Sequence, residues 1–368
     1  MQQKIKISNR QTILLIIFAS IATTVNYIPR SLLIFLTQDA WISIILGAIL
    51  VIMFSHYPIA DLGMRFPNQN LVQISEKVLG KVLGKLLGLI IVYSLFIYHC
   101  WSLREFGEFM TVVIPGIPVW IFIIVLSFLT SYAVKSGLEV ISRCGEWLFP
   151  IGLLSLMVII VFNFPNVELT NLLPVMESKI PPMFGASLVN MEWLATSSLS
   201  FGIIMSYVNK PKDLKKIAII GIGLGSFILI SFSIINITIF GSSFINLLNY
   251  QLLSLAKYAK ISTEFQRFES FLIIIWVSWM FMRAAFIAYS AVQSLVDLLH
   301  INDYRFIVFP ETMLATAYSI YMYDSVQEMS YLFTLYLYFL SFTAGIPILL
   351  WIIGVLRLKF GKLKPVKQ

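Results

Sequence analysis

Residues 183–208 read MFGASLVNMEWLATSSLSFGIIMSYV, and residues 11–36 read QTILLIIFASIATTVNYIPRSLLIFL. Both stretches are long and apolar enough to cross a bilayer, yet each carries polar and helix-weakening residues near its middle. In a bilayer core, irregular backbone survives only where it lines a cavity or is buried in protein. Two interrupted spans half a chain apart therefore predict a binding site near the middle of the membrane, as in transporters.

The composition of the whole chain is that of a membrane protein. Its 368 residues are 59% hydrophobic and 12% charged, with a mean hydropathy of +0.88. Soluble domains average about 45–50% apolar and about 25% charged residues. At about 20 residues per span, residues 1–368 form a single membrane domain of about ten spans. We place these spans at 11–36, 41–60, 86–113, 117–134, 139–163, 183–208, 214–240, 266–297, 305–323 and 328–357.

Basic residues collect on one side of this ten-span arrangement. Lys and Arg concentrate in the N-terminal segment, in the loops after spans 2, 4, 6 and 8, and in the tail 358–368. The positive-inside rule then predicts that both termini lie in the cytoplasm. The formal net charge of +8 follows this topology, so we expect a lipid bilayer and no nucleic acid as the partner.

The sequence carries no enzyme or metal signature. It has two cysteines, Cys100 and Cys144, and contains no GxSxG, Walker or HExxH motif. We therefore expect no catalytic residues, no cofactor and no metal site.

The interruptions predict a ligand site. In span 1, Thr23 and Thr24 can bond the backbone and Pro29 removes an N–H, so a half-helix beginning nearby would aim N–H groups at a carboxylate. In span 6, hydroxyls and freed carbonyls would accept from an ammonium group. A zwitterion such as a small amino acid suits both the carboxylate site of span 1 and the ammonium site of span 6. The alternative to a ligand site is a proline kink in span 1 with Ser/Thr helix packing in span 6. With aromatic residues of spans 3 and 8 as walls, the candidate substrate-binding residues are Ala22, Thr23, Thr24, Asn26, Tyr98, Glu192, Thr196, Ser197, Ser198 and Trp279.

Charged residues inside the predicted spans need a partner or a wet cavity, because each costs at least about 2.5–3.5 kcal/mol at the centre of a span. Glu192 and Arg283 reach similar depths in spans 6 and 8. We expect them to pair or to face one polar cavity, with a purely structural ion pair as the alternative. Arg143 and Glu146, near the inner end of span 5, are a candidate inner gate or anchoring pair.

Span 3 carries further ionisable residues. Arg104 and Glu108 are four residues apart and can pair on one helix face, and Glu105 lies between them. We expect a solvated helix end here, with an outer vestibule as the alternative. His99 lies deeper and is either a proton relay or a packed core residue.

Short motifs spread along the chain match one membrane protein family. They are Gln11 at the start of span 1, DAWIS at 39–43, RFP at 65–67, VLGKVLGK at 78–85, LREFGEF at 103–109, GLEVISR at 137–143, LLPVME at 172–177 and RFES at 267–270. In this order and spacing, the whole chain resembles the B subunits of bacterial spore germinant receptors. These form the endospore germination permease family of the amino acid–polyamine–organocation superfamily.

The resemblance implies a fold and a setting. The fold is an all-α, LeuT-like core of two inverted five-helix repeats, about 11–163 and about 183–357, in which helices 1 and 6 are broken. The setting is the inner membrane of an endospore, beside an A subunit and a lipoprotein C subunit. Family transporters usually carry glycines at the first break, whereas this chain has SIATT at 20–24.

The sequence is compatible with three functions. The first is a germinant-sensing subunit that binds a small nutrient between spans 1, 3, 6 and 8 and passes a conformational shift to partner subunits. The second is a proton- or sodium-coupled amino acid permease. The third is a structural scaffold whose pocket is empty. Fold alone does not separate these functions, so measurements of uptake and germination are needed to distinguish them.

Overall fold

Long helices that run from one end of the molecule to the other make up most of the chain. The structure, a computed structural model, describes residues 6–26, 36–245, 247–248, 250–258, 268–323 and 335–361. Its helices in chain order are α1 (Asn9–Ile21), α2 (Ala40–Val51), α3 (Tyr57–Arg65), α4 (Leu71–Leu79), α5 (Lys81–Val113), α6 (Val119–Ser136), α7 (Leu138–Asn163), α8 (Ile180–Ile204), α9 (Leu214–Ile245), α10 (Gln251–Tyr258), α11 (Phe268–Leu299), α12 (Arg305–Ile320), α13 (Tyr336–Leu340) and α14 (Ile346–Lys359). Two π-helical segments, Ile52–His56 and Ser341–Gly345, join α2 to α3 and α13 to α14.

Within the described ranges, eight helical stretches are long and apolar enough to cross a membrane. They correspond to predicted spans 2 to 8 and 10. Spans 1 and 9 correspond to α1 and α12, which comprise 13 and 16 residues. The rest of span 1 up to residue 35, including Pro29, lies outside the described residues, as do residues 362–368 of the basic tail. The chain is thus an integral membrane protein, while the count of ten spans stays a prediction.

Helix α8 is continuous from Ile180 to Ile204, so the predicted break in span 6 is wrong. The hydroxyls of Thr196 and Ser197 donate to carbonyl oxygens three residues earlier, at 2.9 and 3.1 Å. Bonded to their own helix in this way, they fit regular helical backbone and do not interrupt it. Helix α1, by contrast, stops at Ile21, and a turn at residues 22 and 23 precedes three further helical residues.

The irregular backbone expected in α8 occurs instead in its neighbours. The π segments Ile52–His56 and Ser341–Gly345 pack against α8 and against each other. Ser55 Oγ and Ser198 Oγ both donate to the carbonyl oxygen of Thr343, at 2.5 and 3.0 Å. These hydroxyls therefore satisfy a backbone carbonyl of the irregular segment, which is needed because the bilayer core offers no water to bond it. Single-turn π segments inside helices frequently mark functional sites.

The N-terminal residues close one end of the bundle. Ile7 N donates to Tyr207 O at 2.9 Å, and Asn209 N donates to Ile7 O at 3.0 Å, which forms an isolated parallel bridge. At the first residue of α1, Asn9 Nδ2 donates to Asp213 Oδ2 at 2.6 Å. The chain segment between α8 and α9 is thereby joined to the start of α1. Because α9 then crosses the bundle, α10 lies at the opposite end.

Candidate functional site

The candidate site is centred on the end of α1, in the middle of the bundle. The last carbonyl groups of a helix have no partner within it, and side chains from α11 supply one here. Arg283 Nη1 donates to Ala19 O at 2.7 Å, and Trp276 Nε1 donates to Ala22 O at 2.8 Å. The C-terminal end of a helix carries partial negative charge, so it stabilises the buried guanidinium of Arg283.

A buried carboxylate faces the same helix end. Glu105 of α5 is 1% exposed, and one of its oxygens accepts from Thr23 Oγ1 at 2.9 Å. Arg283, which bonds Ala19 O of the same helix end, carries the opposite charge, and a buried charge is tolerated when an opposite charge compensates it. The prediction that Glu105 lies at a solvated helix end is wrong, because α5 continues to Val113 and is packed by its neighbours around residue 105.

Glu192 and Arg283 have different hydrogen-bond partners. Glu192 accepts from Tyr98 OH and from Thr343 Oγ1, both at 2.7 Å. Arg283 Nε donates to Ser102 Oγ at 3.3 Å, and Ser102 Oγ donates to Tyr98 O at 2.8 Å. No salt bridge joins Glu192 to Arg283 in the part of the chain that the structure describes. The direct pair predicted from the sequence is therefore not formed. Both side chains nevertheless belong to one polar cluster around the end of α1, which comprises Tyr98, Ser102, Glu105, Glu192, Trp276, Arg283 and Thr343.

The hydroxyls of α8 bond the helices around it. Thr196 Oγ1 also lies 3.1 Å from Ala19 O, the carbonyl that binds Arg283, so its single hydrogen is shared between that oxygen and Trp193 O. Ser197 Oγ lies 2.9 Å from Ser20 Oγ and 3.0 Å from His56 Nε2. Ser198 bonds the second π segment, as described above. These contacts hold α1 and the two π segments against α8. A contact of Thr196, Ser197 or Ser198 with a ligand stays a prediction.

The remaining predicted residues lie around the end of α1. Trp279 stacks on Phe149 with ring centroids 5.8 Å apart. With Ala22 it lines a cavity of about 20 Å³, which is room for about one water molecule. Thr24 Oγ1 donates back to the Ser20 carbonyl at 2.5 Å. Asn26 is buried, and its N–H donates to Thr23 O at 2.9 Å.

The predicted pair of Arg143 and Glu146 is also not formed. Arg143 bonds Glu139, one turn earlier on the surface of α7, at 2.6 Å. Glu146 accepts from Gln11 Nε2 at 3.1 Å instead, which joins α7 to the start of α1. Helical side chains lean toward the helix N-terminus, so the residue four positions earlier is the favoured partner of Arg143.

Three members of the cluster were not predicted from the sequence. Ser102, Thr343 and Trp276 carry no local motif, and each lies on a different helical segment. Their polar atoms meet the α1 end or Glu192 only through packing. The one available signal was that buried Glu192 and Arg283 each needed partners.

Comparison with known proteins gives the cluster its family context. A sequence profile of the family described as "Spore germination protein" matches residues 6–329. The chain belongs to this family. Spore germination protein YndE of Bacillus subtilis (strain 168) is 27% identical over 291 residues, covering 78% of this chain and 79% of YndE. Spore germination protein KB of the same organism is 24% identical over 296 residues, covering 79% of this chain and 78% of KB. Spore germination protein B2, also from that strain, is 23% identical over 367 residues, which is 97% of each chain.

Solved structures with the same fold are LeuT-fold transporters. MhsT in complex with L-phenylalanine superposes with a TM-score of 0.72 at 12% identity, over 98% of this chain and 90% of MhsT. Mhp1, a nucleobase-cation-symport-1 family transporter in a closed conformation with bromovinylhydantoin bound, gives a TM-score of 0.67 at 13% identity. That match covers 94% of this chain and 78% of Mhp1. The LeuT-like helical fold predicted from the sequence is confirmed, while its division into repeats at 11–163 and 183–357 stays a prediction.

Proposed function

We propose that this spore germination protein is a germinant receptor subunit that binds a small amino acid at the end of α1, between α1, α5, α8 and α11. The observation that carries the proposal is that two buried side chains of opposite charge contact that helix end, Glu105 at Thr23 Oγ1 and Arg283 at Ala19 O. A zwitterionic amino acid carries the complementary pair of charges, a positive ammonium and a negative carboxylate. Its ammonium would bond Glu105 and the α1 carbonyls, and its carboxylate would bond Arg283.

Binding would change the arrangement of the helices. The cavity beside Ala22 and Trp279 holds about one water molecule, so an amino acid would separate the walls around it. A ligand that binds the separated arrangement better shifts the population toward it. The shift would be passed to A and C subunits of a receptor complex in the endospore inner membrane. The basic loops support an orientation with both termini in the cytoplasm.

A proton- or sodium-coupled amino acid permease is the second candidate. The observation that favours it is the fold shared with a symporter-family protein and with a protein that holds L-phenylalanine. Uptake of labelled amino acids by proteoliposomes that contain the wild-type chain, driven by a proton or sodium gradient, would support the permease. Loss of germination on deletion without an uptake defect would support the receptor.

The test uses a deletion strain complemented with single variants and exposed to a panel of amino acids, nucleosides and sugars. Glu105→Gln keeps the shape of the side chain but removes its charge. We expect it to raise the amino acid concentration needed for germination about tenfold or more, because a charged hydrogen-bonding partner is lost. Glu139→Gln is the matched control, because the Glu139 side chain is 48% exposed in a surface pair with Arg143, and it should respond as the wild type does.

Protein levels in the spore membrane separate a binding defect from a folding defect. If Glu105→Gln accumulates normally and responds at wild-type concentrations, the proposed site is wrong. A response to nucleosides or sugars alone would contradict the amino acid ligand while leaving the receptor role in place.

A further inference from the structure

A larger cavity lies on the side of the bundle, between α5, α12 and α13. It has a volume of about 130 Å³. Tyr98 and Trp101 form its floor and are 5% and 6% exposed. Tyr93, Tyr318 and Tyr338 form its rim and are 49%, 46% and 51% exposed. We call it the side cavity.

The side cavity opens toward the hydrocarbon core of the membrane. The midpoint of α5 (Lys81–Val113) is residue 97, and Tyr93 lies four residues from it, about 6 Å along the axis. This distance is well within the half-thickness of the hydrocarbon core, about 15 Å. Tyrosines of membrane proteins concentrate at the membrane–water interface, so an exposed tyrosine at this depth needs an explanation.

The rim hydroxyls supply the second observation. Within the described residues, the hydroxyls of Tyr93, Tyr318 and Tyr338 make no hydrogen bond. A hydroxyl without a partner in an apolar medium costs free energy. Three such donors surround one cavity, so an occupant with an acceptor atom would be stabilised there.

We propose that the side cavity binds a small, uncharged aromatic molecule with one hydrogen-bond acceptor, which reaches it from the bilayer. The size fits a single ring, because an apolar cavity of about 150 Å³ binds benzene. The walls fit as well. Trp101 packs edge-to-face on Phe339 with ring centroids 5.5 Å apart, and Tyr338 packs in the same way on Phe342 at 4.8 Å. A further ring would extend this pattern.

The side cavity shares its floor with the polar cluster. Tyr98 donates to one oxygen of Glu192, and Thr343, one turn after Phe339, donates to the other. A molecule in contact with Tyr98 and Phe339 therefore touches both segments that hold Glu192. Its binding would be coupled to the position of that carboxylate.

Acetophenone is a suitable probe, since it has one ring and one carbonyl acceptor. The experiment measures the unfolding temperature of the purified full-length protein in phosphatidylglycerol nanodiscs, with and without acetophenone. We expect the wild type to unfold about 2–4 °C higher with the probe. Toluene has the same ring without the acceptor and should give a smaller rise, because the tyrosine hydroxyls stay unbonded.

Two variants of α5 separate binding in the cavity from a general effect on the bilayer. Ser94 lines the cavity and bonds only within its own helix, so Ser94→Phe fills the space and should abolish the rise. Leu89 is 54% exposed and does not line the cavity, so Leu89→Phe should retain the rise in unfolding temperature. If Ser94→Phe does not fold, Ser94→Leu is the smaller filler. Equal rises in the filled variant and the control, or no rise in the wild type, would overturn the proposal.

Discussion

At the residue scale, the interior charges of the bundle depend on one another. Arg283→Met leaves the Glu105 carboxylate uncompensated and removes the charged donor to Ala19 O. Breaking a buried charge pair by removing one partner costs about 3–5 kcal/mol, and we expect a loss of that order in the free energy of unfolding, measured in detergent by denaturant titration. Arg143→Met is the matched control. Its side chain is 67% exposed, so its surface pair contributes less than about 1 kcal/mol.

A second substitution tests whether the two charges compensate each other. Adding Glu105→Gln to Arg283→Met removes the unpaired carboxylate, so the double variant should be more stable than Arg283→Met alone. If it is not, Glu105 and Arg283 do not form a compensating pair, and the argument for a zwitterionic ligand loses its basis.

Sequence spacing predicts only some of these residue contacts. The pairing of Arg104 with Glu108, four residues apart, is confirmed at 2.8 Å. That contact depends on helix geometry alone. The partners of Glu192 come from positions 98 and 343, and no local pattern brings such distant positions together. The burial of Glu105 likewise depends on the helices around it.

At the element scale, α4 is held by a residue with two roles. Asn70 Oδ1 caps the helix by accepting from Gln73 N at 3.1 Å, and its Nδ2 donates to Asp297 Oδ2 of α11 at 2.5 Å. Asn70→Ala loses both bonds. Loss of an N-cap costs about 1 kcal/mol and loss of a bond to a charged group about 1.5–3 kcal/mol. Local opening, measured as the rate of trypsin cleavage at Lys77 and Lys81, should therefore increase.

The control variant, Asn70→Ser, retains the helix-capping role and loses the bond to Asp297. Asn70→Ser keeps a capping hydroxyl but is too short to reach Asp297, so its cleavage rate should fall between those of the wild type and Asn70→Ala. A rate equal to that of Asn70→Ala would mean that the cap contributes nothing to holding α4.

Element positions were predictable where they depend on local sequence. An amphipathic pattern after Asn70 predicts α4, and the apolar stretch around Leu252 predicts a short helix, which is α10. The π segments Ile52–His56 and Ser341–Gly345 were not predictable in this way. Ser198 of α8 and Ser55 of the first π segment both donate to the carbonyl oxygen of Thr343 in the second, and only the packed structure brings these residues together.

At the scale of the whole molecule, hydrophobicity and the spacing of polar residues predict the fold, because a bilayer permits few solutions. They do not predict which end of the bundle is closed. That depends on contacts such as Asp61, which accepts from Lys215 Nζ at 2.7 Å and from Trp351 Nε1 at 2.8 Å. These contacts join α3, α9 and α14. With the bridge between Ile7 and residues 207–209, they lie at the end of the bundle where α1 begins, the N-terminal end.

A closed N-terminal end predicts that the α1 site is reached from the opposite face. Ser155 is 4% exposed and lines the small cavity with Ala22, beside Leu252 of α10. In a Cys144→Ser background, Ser155→Cys should react with a membrane-impermeant maleimide from the α10 face of oriented vesicles and far more slowly from the N-terminal face. Asp61→Asn weakens the closure because it removes a charge that Lys215 and Arg65 bond, so it should raise the rate from the N-terminal face alone. Equal wild-type rates from both faces would mean that these contacts do not close the bundle, and the proposed route of the ligand would then have no structural basis.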